Sequence, residues 1–264
     1  MVEESANGVA YYLFDSLQRP EIVQAVFTRQ GGVSPAPWDE LNVGGAVGDE
    51  RERVIENRRR SFEAVGLPFE SIADLWQVHS ADTYRADAPK GDLPYLAKAD
   101  ALITDRPGVS LFLRFADCVP ILLYDPVQRA IGIVHAGWRG TVQDAAGAAV
   151  RALARCYGSR PADLVAAIGP SIGPDHYLVG PEVVEQVHHA FPGPNGLLRT
   201  VDGRAHLDLW AANERALRRA GVERIEIAGL CTACRTDLFF SHRGEAGRTG
   251  RFGAVIALKH ARPG

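Results

Sequence analysis

Residues 109 to 136 carry three strand-length apolar runs, "VSLFLRF", "PILLYD" and "AIGIVHA", separated by the short interruptions "ADCV" and "PVQR". Runs apolar at almost every position belong to strands covered on both faces, so helices must shield at least part of such a sheet. "VAYYLF", "IVQAVFT", "LVAAIG", "RIEIAGL" and "FGAVIALK" extend the strand set, most of them bounded by Gly, Pro or Asp. Four helices are expected. Asp49 stands as N-cap of "ERERVIENRRRSFEAVG" with Glu52 at the third helical position, and Thr141 as N-cap of "VQDAAGAAVRALARCYG" with Asp144 in the equivalent place. Pro181 suits the first turn of "PEVVEQVHHAF", and "LDLWAANERALRRAG" ends at Gly221 as at a C-terminal glycine cap.

The helices do not alternate strictly with the strands. The expected class is therefore α+β, a single domain over residues 1–264 built as a layered sandwich of mixed β-sheets flanked by helices. A chain of 264 residues buries a core without covalent staples. The 29 Lys and Arg against 32 Asp and Glu leave a net charge of -3, so whole-chain attraction to nucleic acid or anionic lipid is not indicated. "MVEESANGVAYYLF" lacks the basic and apolar regions of a signal peptide, and no run has the roughly 18 apolar residues of a membrane helix. A cytoplasmic protein is expected, with its oligomeric state open.

Cys118, Cys156, Cys231 and Cys234 are too few and too unevenly spaced for a disulfide scaffold. "CTAC" at 231 to 234 has the spacing of a redox or zinc knuckle, yet no second pair completes a four-cysteine site. Cys118 ends the first run and His135 lies in the last, with a turn at Asp125 and Pro126 between them; neighbouring strand ends would bring the two to one sheet rim. His79, in the loop-like "WQVHSAD", is a third candidate. One thiolate and two imidazoles suit zinc, and three protein ligands with an open position describe a catalytic site. Two other readings stand beside this one: a packed small apolar Cys118, or a Cys118 nucleophile with His135 as base.

"HAGWRGT" adds an anion-site candidate. Gly137 and Gly140 allow close backbone approach, Arg139 supplies a forked cation, and Thr141 opens a helix. Arg58 shares a helical stripe with Val54, Phe62 and Val65, so it starts from the apolar face and needs an acceptor, whether a salt-bridge partner or a ligand. "FFSHRGEAGRTGR" offers Ser241, His242 and Arg243 in a glycine-rich basic stretch that reads as a surface loop or a cover for a site. His176, His188, His189, His206 and His260 have no spacing that recruits them to a metal.

Taken together, "WQVHSAD", "ADALITDRPGVSLFLRFADCVPILLYDP", "IGIVHAGWRGTV", "AAIGPSIGP" and "FFSHRGEAGRTGR" resemble, in order, the YfiH or laccase-domain family, from about residue 21 to 258. The resemblance implies a cysteine-hydrolase-like fold of β layers flanked by helices. It implies that His79, Cys118 and His135 bind zinc and that Arg58 faces the substrate. It further implies phosphorolysis of adenosine, inosine, guanosine and methylthioadenosine with phosphate, and in some members adenosine deamination. Arg139 is assigned to phosphate on the chemistry of its side chain. Two names used within the family carry alternatives: an editing hydrolase removing L-serine from a peptidoglycan precursor, and a copper-dependent polyphenol oxidase. Ser171 departs from the family pattern, in which cysteine is frequent at that position.

Overall fold

The computed structural model describes residues 1–193 and 196–260. All eight apolar runs named above form strands. One six-stranded sheet has the order β1 (Val2–Ala6), β2 (Val9–Leu13), β3 (Ile22–Phe27), β14 (Phe252–Leu258), β7 (Ser110–Phe115) and β4 (Ile72–Ala73). A second has the order β13 (Arg224–Ile227), β10 (Val165–Ile168), β8 (Val119–Asp125), β9 (Ala130–Ala136), β6 (Ala101–Thr104) and β5 (Thr83–Arg85). The hairpin of β11 (Leu198–Val201) and β12 (Arg204–Leu207) stands apart. Both large sheets mix parallel and antiparallel pairs.

The two-residue period of the strands sorts the core into layers. Leu111, Leu113, Phe115, Ala254 and Ile256 of the first sheet meet Leu122, Tyr124, Ile131 and Ile133 of the second in one buried cluster. The alternate positions Phe112, Val255, Ala25 and Phe27 face helix α1 (Arg51–Ala64), whose Phe62 ring lies 5.5 Å from Phe112. On the far side, Ile121, Leu123, Val134 and Ile168 pack against α3 (Ala145–Tyr157), α4 (Pro181–Ala190) and α5 (Leu209–Arg219). Each such side chain removed from water contributes about 1.5–3 kcal/mol. The expected helix-flanked sandwich of mixed sheets is what forms.

Two expected caps are corrected. The helix at 51 begins at an N-cap Glu50, because Asp49 points its carboxylate at Ser34 Oγ and Asn42 Nδ2, 2.6 and 2.8 Å away. Thr141 does not open the next helix. It lies inside a separate short helix, α2 (Trp138–Val142), and the left-handed Asp144 breaks the chain before α3 starts. The other expectations hold: Pro181 occupies the first turn of α4, and Gly221, at φ 92°, follows α5, whose N-cap Asp208 accepts from the Ala211 amide.

Candidate active site

The β8–β9 hairpin does most of the assembly. Asp125 Oδ1 accepts from the Val127 and Gln128 amides at 2.8 and 3.0 Å, closing the turn, and the register sets Pro120 opposite His135. Cys118, immediately before β8, therefore reaches the same sheet end as His135. Alternation puts His135 on the face it shares with Ile131 and Ile133, where its ring stands 5.5 Å from that of Phe115. His79 arrives on the loop after β4 in a left-handed conformation, φ 62°, with its ring 5.0 Å from that of His135.

Asp100, which the sequence reading passed over, ties these parts together. Its Oδ1 lies 2.9 Å from His135 Nδ1, while Oδ2 accepts from the Val78 and Ser80 amides on either side of His79, at 3.1 and 2.7 Å. Holding Nδ1–H against a carboxylate leaves His135 Nε2 as the free lone pair. The ligand atoms of His79, Cys118 and His135 all lie within 4.8 Å of one another, and Cys118 Sγ is 3.9 Å from His79 Nε2. Gly137 is required by this closeness, since a Cβ there would stand 2.8 Å from Cys118 Sγ. The donor set fits a thiophilic metal ion with one position left open.

The electrostatics agree. Burial pushes the Cys118 thiol up, but the His135 charge and hydrogen bonds to His135 and His79 prevail and hold it at about 6. Burial likewise lowers His135, and the Cys118 charge with the Asp100 hydrogen bond raises it to about 9. Without metal the two therefore stand as a thiolate–imidazolium pair at neutral pH: the thiol is already deprotonated, and a metal ion binding at His135 Nε2 would displace its proton.

Beside this cluster opens a cavity of about 560 Å³, the size range of small-molecule sites. Trp76 and Tyr95, ring centroids 5.3 Å apart, form an aromatic edge, and Arg114, Arg139, Arg243 and Arg251 bring positive charge to its lining. Arg139 is exposed and stacks over Trp138. Gly140 packs α2 on the His79 loop, where a Cβ would meet Ser80 O at 3.2 Å. Thr141 is buried away from the cavity, accepting from Asn213 Nδ2 at 3.0 Å, so the expected anion pocket does not include its hydroxyl.

Arg58 stands one step back from the cavity. Its stripe is buried as expected, but it is not among the residues lining the cavity; its Nε donates to Val43 O and its Nη1 pairs with Asp74 at 3.1 Å. The same fully buried carboxylate binds Arg114 Nη1 at 2.5 Å, and it is Arg114 that reaches the lining. Asp117, at φ 81°, organises the glycine-rich stretch: it accepts from Thr232 Oγ1, Ser241 Oγ and the Arg243 amide at 2.7, 2.7 and 2.6 Å. That stretch is a fastened wall presenting His242 and Arg243. His176, read as an unrecruited histidine, lies beside Cys231 and Cys234.

A family model described as multi-copper polyphenol oxidoreductase laccase matches residues 23–259. Purine nucleoside phosphorylase YlmD of Geobacillus stearothermophilus is 40% identical over 247 residues, 90% of each chain. A purine nucleoside phosphorylase of Deinococcus radiodurans is 41% identical over 237 residues, 90% of this chain and 89% of that one. The crystal structure of YlmD from Geobacillus stearothermophilus matches with a TM-score of 0.91 at 36% identity, covering 97% of this chain and 98% of that one. Bacillus licheniformis YfiH gives 0.89 at 34%, over 96% and 97%. With nearly its whole length matched, the chain belongs to the multi-copper polyphenol oxidoreductase laccase family, which is the YfiH family.

Proposed function

We infer that this protein is a purine nucleoside phosphorylase in which His79, Cys118 and His135 hold zinc beside the nucleoside. The observation that carries the reading is the two-imidazole, one-thiolate cluster, oriented by Asp100, on the wall of a cavity large enough for a nucleoside. The phosphorylase names of relatives about 40% identical over nine-tenths of the chain support it. When bound, the metal supplies Lewis-acid stabilisation of negative charge in the cavity.

The chain's own groups then take these roles. Trp76 and Tyr95 offer faces on which a purine stacks. Arg139 and Arg243 hold phosphate so that one oxygen bonds to ribose C1′ as the C1′–N9 bond breaks, its electron pair leaving with the base. Tyr177 lines the same cavity, and burial, reinforced by the Cys118 charge, drives its phenol well above its ordinary value. It therefore stays protonated and donates a hydrogen bond to the departing purine. Arg58 acts at one remove, holding Asp74 and through it Arg114. Deamination of adenosine is a second activity of the same centre. No helix of the described residues is long and apolar enough to cross a membrane. Cytoplasmic residence belongs to the same reading, because Cys118 must stay reduced to hold a metal.

Adenosine incubated with metal-loaded protein, with and without phosphate and beside His79→Ala, tests the reading. Adenine and ribose 1-phosphate appear only with phosphate, and inosine forms without it if deamination accompanies phosphorolysis. No product from folded, metal-replete protein overturns the reading and favours the peptidoglycan-precursor hydrolase. Metal analysis after purification without added metal decides between zinc and copper, since the ligand set suits either ion.

A further inference from the structure

We propose that His176, Cys231 and Cys234 form a second metal site, a zinc site that fastens together two loops behind the cavity. The three residues come from two loops far apart in sequence, and their ligand atoms lie within 4.8 Å of one another. His176 Nδ1 is 3.5 Å from Cys234 Sγ and 3.8 Å from Cys231 Sγ. Zinc bonds of about 2.3 Å to sulfur and about 2.05 Å to nitrogen, at a tetrahedral angle, require a sulfur to nitrogen span of about 3.5 Å. The spans found are those of a tetrahedral edge. Two cysteines at C-x-x-C spacing with one imidazole are a soft donor set of the kind zinc takes; the fourth position opens to solvent, where His176 and Cys234 are exposed. Because none of the three lines the cavity, a water there closes the set and the ion's part is to hold the loops.

The surroundings support the sulfur as a ligand. The Gly173 amide donates to Cys231 Sγ at 3.2 Å, the kind of outer hydrogen bond that steadies a ligating thiolate. Gly173 also provides room, since a Cβ there would stand 3.1 Å from Cys231 Cβ. The two loops are already in register at this point: Ser171 pairs in parallel with Cys231, and Thr232 N donates to Ser171 O at 3.1 Å. Beyond the cluster, one loop delivers Ile172 and Tyr177 to the cavity lining. The other carries Thr232 and Ser241 to Asp117, the neighbour of Cys118. A cation here joins two of the walls that shape the cavity. The site is independent of the phosphorylase reading and stands or falls without it.

The test is a metal titration of the whole protein, reduced and stripped of metal, with Zn²⁺ counted by native mass and Co²⁺ followed by its thiolate charge-transfer band. Wild type binds two equivalents. His79→Ala keeps one, with a charge-transfer band about twice as intense as that of Cys231→Ser/Cys234→Ser, because two thiolates rather than one contribute. The double variant and the exposed His176→Ala each lose the second equivalent; circular dichroism verifies their folds. Wild type that binds one equivalent while Cys231 and Cys234 titrate as free thiols overturns the proposal, as does a double variant that still binds two.

Discussion

The two His and Cys clusters use the same side chains in inverted proportion. At the cavity wall, two imidazoles meet one thiol; on the outer loops, one imidazole meets two thiols. The surroundings separate them more than the counts do. His135 is buried at a strand end and Asp100 braces both histidines of its cluster, whereas His176 and Cys234 stand exposed on loops and the Gly173 amide donates to Cys231. The first thiol is held at about 6, the His135 charge and hydrogen bonds outweighing burial. Cys234 is pushed the other way, by burial first and then by Cys231 and Asp175. A cavity-facing, braced cluster suits chemistry; an outer, soft-donor cluster suits fastening.

The contrast breaks most visibly under substitution. Cys118→Ala abolishes the metal centre and lowers kcat/KM for nucleoside phosphorolysis by about 10³-fold, the several kcal/mol that a Lewis acid supplies. Cys234→Ser leaves turnover within about 3-fold at 25 °C and lowers the zinc-dependent part of the melting temperature instead. Equal losses from both variants would erase the distinction.

The next largest effect falls on stability. Asp74→Ala strands the buried Arg58 and Arg114 charges and costs about 3–5 kcal/mol by denaturant unfolding. Arg58→Lys keeps the charge but loses the Val43 contact. It raises KM for the nucleoside through Arg114, which stacks over Tyr95 on the aromatic edge, while leaving kcat nearly unchanged. A direct role for Arg58 at the substrate would lower kcat instead.

Asp100→Asn weakens metal binding at the cavity by about 10–100-fold and leaves the second equivalent untouched. Burial opposes the Asp100 charge, but its hydrogen bond to His135 wins and holds the carboxyl at about 2, below its ordinary 3.8. A depressed carboxyl lends stability above its unfolded value and loses it as pH falls through the folded one. The wild type therefore loses stability between about pH 4 and pH 2, and Asp100→Asn lacks that component.

The smallest effect is a difference in reactivity. In reduced, metal-free protein, iodoacetamide modifies Cys118 at a rate that is half-maximal near pH 6, while Cys234 reacts only above the ordinary thiol range. Peptide mapping across pH separates the two. Zinc protects both.

The sandwich was legible because its central strands are apolar almost throughout, a pattern that demands cover on both faces. Six strands were not anticipated: β4, β5, β6, β11 and β12 are two to four residues long, too short for a period to register, and β1 is an exposed, largely polar strand with no apolar run to announce it. His79, Cys118 and His135 could be singled out by residue type and motif. Their partners could not, because Asp100 and Asp117 look locally like ordinary turn acids and acquire meaning only through contacts distant in sequence. Periodicity placed Arg58 on the buried face of its helix but carried no information about Asp74, sixteen residues on. His176 escaped for the same reason: its cysteines lie 55 and 58 positions away.

The β8–β9 register has a practical consequence. His135 reaches the cavity because it shares a face with Ile131 and Ile133; a slip of one residue would turn it toward the helices, as it would every side chain of the strand. Metal occupancy at the cavity is therefore a gauge of correct folding. A preparation can be graded by the metal its cavity cluster takes up, counted apart from the outer site, before any assay is run, and a library of variants sorted by the same number.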